Sequence, residues 1–106
     1  MKVIKLKEYR VCRGISKYMG LMFSSRIKSR LVFEFKKEGI YPIHMFFVFF
    51  PIDVVYLDKN KRVVEIKGNL KPFSYYNPKN RAKYIVEAEK DFVKTNKIKI
   101  GDKVES

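Results

Sequence analysis

One apolar run, Ile43 to Asp58 (IHMFFVFFPIDVVYLD), constrains the fold of this chain more than any other stretch. It holds four of the nine Phe residues. Between Ile43 and Leu57 its acidic and basic side chains are Asp53 and His44. An exposed apolar ribbon of this length would pair with other chains, so we expect the run to be buried on both faces. Pro51 cannot donate a ladder hydrogen bond, and it therefore divides the run into two strands.

Length and composition predict one globular domain covering residues 1–106. The sequence is 46% hydrophobic and 15% aromatic, which is typical of a chain with a packed core. Cys12 is the single cysteine, so an internal disulfide is excluded. The charged start MKVIKLKEYR predicts no signal peptide, and the apolar run is shorter than the roughly 20 residues of a membrane span. We therefore expect a cytoplasmic protein that does not bind membranes.

The pattern of apolar residues predicts a mainly β fold. Val54–Leu57 and Val63–Ile66 flank a turn at residues 58–61, which indicates a hairpin. Residues 68–84 contain two prolines and three asparagines and are predicted to form a long loop. Residues 89–96 are the one convincing helical segment. The prediction is a small single-domain β-barrel or sandwich with one short helix near the C-terminus.

The formal net charge of +13 is unevenly distributed along the chain. Residues 1–40 carry +8, residues 41–57 carry −1 and residues 58–106 carry +6. The Lys enrichment and the absence of Gln resemble a thermophile composition. The excess positive charge is not matched by Glu, however, so it predicts attraction to polyanions and a basal affinity for nucleic acid.

A loop at residues 71–84 (KPFSYYNPKNRAKY) interleaves aromatic rings with basic side chains. Aromatic faces stack on unpaired bases while cations bind phosphates, so this loop is a candidate surface for RNA or single-stranded DNA. The alternative is a solvated loop whose rings cap the barrel. The predicted nucleic-acid contacts are Arg26, Lys28, Arg30, Lys71, Tyr75, Tyr76, Lys79, Arg81 and Lys83.

Asp53 and His44 each allow two interpretations. A carboxylate between apolar neighbours either has a functionally raised pKa or accepts backbone N–H bonds and holds a turn. A lone histidine on an apolar strand is either a ligand-binding group or a hydrogen-bonded rim residue. The sequence contains no metal-ligand spacing, no cofactor motif and no catalytic motif, and nothing around Cys12 supports a nucleophile paired with His44.

The chain resembles the family catalogued as domain of unknown function 192, in its archaeal, cytoplasmic type. The resemblance spans roughly residues 10 to 104 and rests on motifs that occur in the family's order. These are Gly20-Leu21-Met22-Phe23, Met45 with Pro51-Ile52-Asp53, Leu57-Asp58, Pro72, Ala82-Lys83-Tyr84 with Glu87, and Gly101-Asp102. The resemblance implies a compact, mostly β fold and no established activity.

The matched motifs and the polar groups of the apolar run define a second candidate site, a small concave ligand site at Met22, His44, Met45 and Asp53. The leading hypothesis is a non-enzymatic binding module that uses this site, beside the basic aromatic loop, for an anionic or other small ligand without a cofactor. The alternative is nucleic-acid binding through the basic surface. A second alternative is a hydrolase or transferase with Asp53 or His44 as general base.

Overall fold

The structure, a computed structural model, describes residues 1–12 and 29–105. Strands dominate these two ranges, as the sequence predicts, and the described helix lies near the C-terminus. The elements are β1 (Val3–Lys5), β2 (Tyr9–Cys12), β3 (Arg30–Gly39), β4 (Ile43–His44), β5 (Ile52–Leu57), β6 (Val63–Leu70), β7 (Tyr75–Tyr76), β8 (Ala82–Glu89), α1 (Phe92–Thr95) and β9 (Lys103–Glu105). No helix in the described part of the chain is long and apolar enough to span a bilayer.

Five strands form a central sheet in the order β2-β3-β8-β5-β6. β2 runs parallel to β3, and the other neighbours are antiparallel. All six residues of β5 are buried, and their side chains alternate between the two faces of the sheet. Ile52, Val54 and Tyr56 belong to one cluster, called the first core here, and Val55 and Leu57 belong to another, the second core.

A pair of strands covers each core. β4 and β7 pair antiparallel over the first core, to which Ile43 contributes. β1 and β9 pair in parallel over the second core, where Ile4 and Val104 pack with Phe92 of α1. The described strands therefore form layers on an open sheet, with β2 and β6 at its edges, and a sandwich describes this arrangement better than a closed barrel.

The predicted hairpin is confirmed, because β5 and β6 pair antiparallel across the turn at residues 58–61. The Asp58 carboxylate accepts hydrogen bonds from the Asn60 and Arg62 N–H groups at 2.8 and 3.0 Å. Lys61 in the same turn has a positive φ of 64°. An aspartate that accepts bonds from the residues after it favours such a turn, so local sequence was sufficient here.

The loop prediction for residues 68–84 is wrong in part. β6 continues to Leu70, β7 forms inside the segment, and β8 begins at Ala82. Cross-strand partners supply the reason, since Leu70 pairs with Ile52 and β7 pairs with β4. Tertiary pairing of this kind overrides the low strand propensity of Gly and Asn.

The helix is shorter than the predicted 89–96 segment. Glu89 still pairs with Ile52 as the last residue of β8, and Asp91 has a left-handed φ of 69°. The backbone therefore becomes helical only at Phe92.

The expectation that the apolar run is buried throughout is also wrong. β5 is fully buried, but Phe46, Phe47 and Phe49 are 58%, 47% and 56% exposed. The turn that precedes β5 anchors its buried residues, Met45 and Val48, in the first core and directs the three rings outward.

Candidate binding surface

Five exposed aromatic rings lie together on the side of the molecule covered by β4 and β7. We call them the aromatic surface: Phe46, Phe47, Phe49, Phe73 and Tyr75, which are between 47% and 70% exposed. Aromatic side chains of this size are usually buried, and clustered exposed apolar groups mark contact sites. The sequence pattern pointed to the segment of Phe73 and Tyr75 but placed the other three rings in the core.

Hydrogen bonds between two chain segments hold the aromatic surface together. The Met45 N–H donates to the Ser74 carbonyl at 2.7 Å, and the Phe73 N–H donates to the Met45 carbonyl at 2.9 Å. Met45 itself is 1% exposed and anchors this junction in the first core. The two segments that carry the rings, residues 46–49 and 73–75, are therefore joined at Met45.

Three of the five rings are in edge-to-face contact. Phe73 makes edge-to-face contacts with Phe47 at 6.3 Å and with Phe49 at 5.3 Å between ring centroids. Phe47 and Phe73 both have left-handed backbone, with φ of 57° and 58°. A bulky residue in this region is strained, and such strain concentrates at sites where the surrounding structure holds a side chain in a required position.

Glu65 of β6 anchors the segment that follows the aromatic surface. Its buried carboxylate accepts hydrogen bonds from the Tyr76 hydroxyl, from the Lys79 N–H at 2.9 Å and from the Asn80 N–H at 2.9 Å. Desolvation raises the pKa of Glu65, but these hydrogen bonds outweigh it and leave the pKa below its ordinary value. The bond to Glu65 also raises the pKa of Tyr76 to about 12. Nothing in the sequence near Glu65 indicated this role.

The residues predicted to contact nucleic acid are placed in different environments. Tyr75, Lys71, Lys79 and Arg81 are exposed, whereas Tyr76 is half-buried on Glu65. Arg26 and Lys28 lie outside the described residues.

Arg30 and Lys83 both contact other side chains of the described chain. Arg30 donates two bonds to the Glu89 carboxylate, at 2.8 and 3.1 Å, and lies 4.9 Å from the centroid of the Phe92 ring. Lys83 is half-buried, with its ammonium 5.5 Å from the centroid of the Tyr84 ring. The ion pair with Glu89 offsets the charge of Arg30.

The residues of the predicted concave site lie on different sides of the central sheet. Asp53 pairs with Ala88, a residue of the second core, whereas Met45 belongs to the first core. His44 is exposed, with its Nδ1 accepting a long bond of 3.4 Å from the Phe46 N–H. Met22 lies outside the described residues. The structure therefore does not bring the three described residues into one pocket.

The Asp53 carboxylate is 3% exposed and joins three elements. Its Oδ1 accepts from the Asn69 N–H and its Oδ2 accepts from the Val93 N–H, both at 2.9 Å. The side chain thus connects β5 to the end of β6 and to the first turn of α1. Both bonds favour the interpretation that this carboxylate is satisfied by backbone N–H groups.

Three further titratable groups are buried at the first core. Burial raises the pKa of the Cys12 thiol and of the Tyr56 phenol, and it raises the pKa of Glu87 to about 7. The Tyr56 hydroxyl has no hydrogen-bond partner within the described ranges. A thiol with a raised pKa is a poor nucleophile, so Cys12 has the properties of a core side chain.

The family model of DUF192, described as an uncharacterized ACR, matches residues 13–106. Curated relatives named UPF0127 proteins include one from Pyrococcus furiosus, 33% identical over 99% of this chain and 95% of its own length. Another, from Pyrococcus horikoshii, is 40% identical over 85% of this chain and 78% of its own length.

Some of these relatives are longer. The Thermococcus kodakarensis protein is 36% identical over 83% of this chain, but the chain spans only 57% of that relative. Among solved structures, a protein of unknown function from Novosphingobium aromaticivorans superposes with a TM-score of 0.84. That match covers 92% of this chain and 74% of the other at 21% identity, so it supports the fold alone.

Proposed function

Since the chain belongs to the uncharacterised DUF192 family, we propose a function from its own surface: a non-enzymatic binding module that holds single-stranded nucleic acid. The observation that carries the proposal is the aromatic surface, with five rings 47–70% exposed on a hydrogen-bonded support. Exposed rings can stack on unpaired bases of any sequence, and each stacked base contributes about 1–3 kcal/mol. A double helix does not offer unpaired bases, so the proposal distinguishes single strands from duplexes.

The charge distribution supports the same ligand. The chain carries a net charge of +13, and the exposed cations Lys71, Lys79 and Arg81 lie in the segment that also carries Phe73 and Tyr75. Asp53, the acidic side chain inside the apolar run, is buried and accepts a hydrogen bond from the Asn69 N–H. A phosphate backbone would therefore meet positive charge beside the bases that stack.

The two rival functions have weaker support. A general base must be able to reach a substrate proton, whereas both oxygens of Asp53 accept backbone hydrogen bonds in a buried site. A concave ligand site needs His44, Met45 and Asp53 to converge, and Asp53 and Met45 face different cores.

The first experiment measures fluorescence anisotropy of labelled single-stranded RNA and DNA over a salt series, with heparin as the polyanion competitor. Tyr75→Ala and Phe46→Ala are the test variants, because both rings are exposed. We expect each to weaken binding at least fivefold, the equivalent of about 1 kcal/mol from one lost stacking contact. Lys71→Gln should weaken binding and reduce its salt dependence.

The matched controls are exposed residues away from the aromatic surface. Ile100 is 63% exposed in the turn before β9, and Lys90 is exposed at the end of β8. Ile100→Ala and Lys90→Gln should bind like the parent. The proposal fails if duplex DNA binds as tightly as single strands, or if the aromatic variants keep the parent affinity.

A further inference from the structure

A cavity lies on the side of the central sheet opposite the aromatic surface. Its volume is about 210 Å³, and it opens between the central sheet and the layer formed by β1 and β9. Its base is apolar and belongs to the second core: Leu6, Val32, Leu57, Val86 and Val104. The half-buried side chains Glu34, Lys61 and Tyr84 form its rim.

The rim carries one cation, Lys61, and one carboxylate, Glu34. The Lys61 ammonium lies 5.6 Å from the centroid of the Tyr84 ring. Glu34 is the carboxylate at this rim, and it already has an interaction partner. Lys61 makes no ion pair with any residue of the described ranges, so its charge is available to an anion.

The size of the cavity limits what it can hold. An apolar protein cavity of roughly 150 Å³ is sufficient for benzene, so the space here suits a hydrocarbon group of about five or six carbons. Drug-sized ligands generally need pockets of 300 Å³ or more, which excludes nucleotides and cofactors of that size.

We propose that this cavity binds a small apolar carboxylate, with its hydrocarbon group in the second core and its carboxylate on Lys61. Lys61, a cation without an ion pair in the described ranges, favours an anion, and the apolar side chains at the base favour a hydrocarbon group over a polar one. The site is separate from the aromatic surface, so the proposal does not depend on nucleic-acid binding.

The test uses 4-methylpentanoate as the probe and its neutral amide as the matched comparison, with binding followed by amide shifts in the NMR spectrum of the full chain. We expect saturable binding of the carboxylate, with shifts centred on the cavity. The amide should bind about tenfold more weakly, because it lacks the charge-assisted bond to Lys61.

Three variants test whether the probes bind in the cavity. Lys61→Met keeps the apolar stem but should bind the carboxylate no better than the amide. Lys59→Met changes an exposed lysine of the same turn that does not line the cavity, and it should bind like the parent. Val11→Phe replaces a lining side chain that is 39% exposed with a larger, aromatic one. Because the ring takes up space in the cavity, this variant should bind both probes more weakly.

The comparison of carboxylate and amide on the parent protein needs no variant, so the test is decisive even if one of the substitutions fails to fold. Equal binding of the two probes, or parent-like carboxylate binding by Lys61→Met, would overturn the assignment of Lys61. If neither probe saturates up to its solubility limit, the cavity is not a site for this class of ligand.

Discussion

Two glutamates in the strands on either side of β5 show how strongly local partners determine the state of a buried carboxyl. Glu65 accepts bonds from Tyr76, Lys79 and Asn80, and its pKa lies below the ordinary value. Glu87 of β8 pairs with apolar neighbours, Leu31 and Val54, and burial raises its pKa to about 7. Glu65 therefore fixes the loop that contains Lys79 and Asn80, whereas the folded state favours the protonated form of Glu87.

The stability of the protein should therefore fall as the pH rises toward 7. In the unfolded chain Glu87 has the ordinary pKa of 4.5, so between 4.5 and about 7 the folded state binds more protons. Its contribution is fully present below pH 4.5 and is lost by about pH 7, at a cost of roughly 3 kcal/mol. Denaturant unfolding at about pH 5 and pH 8 measures this loss, and Glu87→Gln should abolish it.

Three hydrogen-bonded carboxyls do not obscure this measurement. The pKa values of Glu65, Glu89 and Asp102 are lowered, so these groups titrate below the window used. Glu105→Gln, a change at an exposed carboxyl, serves as the control and should keep the parent's pH dependence. A Glu87→Gln protein that still loses stability between the two pH values would show that another group is responsible.

The turn that precedes β5 shows how much of an element can be predicted from its sequence. The apolar run correctly predicted a strand buried on both faces, which is β5, and Asp58 correctly indicated the following turn. Hydrophobicity alone could not reveal that the rings of Phe46 and Phe47 remain 58% and 47% exposed. That outcome depends on the β4–β7 pairing and on the turn closed by the Val48 N–H bond to Met45.

The candidate site was predictable only where its contacts are local. Tyr75 could be proposed from its basic, aromatic neighbourhood, and the structure leaves it 70% exposed. The partner of Asp53 at Val93 is 40 positions away, and the partners of Glu65 at Lys79 and Asn80 are 14 and 15 positions away. No local pattern encodes contacts at such separations, because folding alone brings these groups together.

The variant Phe47→Gly tests whether Phe47, in the turn before β5, serves ligand binding or stability. Glycine adopts the φ of 57° without the cost of about 1–2 kcal/mol that other residues incur there. That gain offsets the loss of the contacts of this 47% exposed ring, including the one with Phe73, so the free energy of unfolding should change by less than about 1 kcal/mol. Anisotropy should nevertheless show weaker binding of single strands, because one stacking surface is gone.

Val48→Ala in the same turn is the contrasting change. Val48 is 3% exposed in the first core, so this variant should lose stability. If Phe47→Gly instead unfolds with a loss of more than about 2 kcal/mol, Phe47 is a structural anchor rather than a contact residue.

At the scale of the whole molecule, charge and apolar surface are separated along the chain. The residues 41–57 that carry three of the exposed rings contribute a charge of −1, and the segments on either side contribute +8 and +6. The segment that carries three of the rings is thus nearly uncharged, whereas the segments on either side of it are strongly basic. Self-repulsion among 24 basic side chains, opposed by 11 acidic ones, acts against the compact state.

Added salt should therefore stabilise the protein while it weakens nucleic-acid binding. Raising NaCl from about 20 to 200 mM shortens the screening length from roughly 20 to 7 Å and reduces the repulsion. We expect the midpoint of thermal unfolding to rise over this range. A midpoint that falls with salt would show that attractive ion pairs, such as Arg30 with Glu89, outweigh the repulsion.

The parallel pairing of β1 with β9 has a consequence for biosynthesis. Residues 3–5 leave the ribosome about a hundred residues before their sheet partners at 103–105. Until then Ile4 lacks the strand beside it, and the second core stays open on that side. The nascent chain therefore keeps apolar surface exposed until β9 has been synthesised, and the fold can be completed only after that.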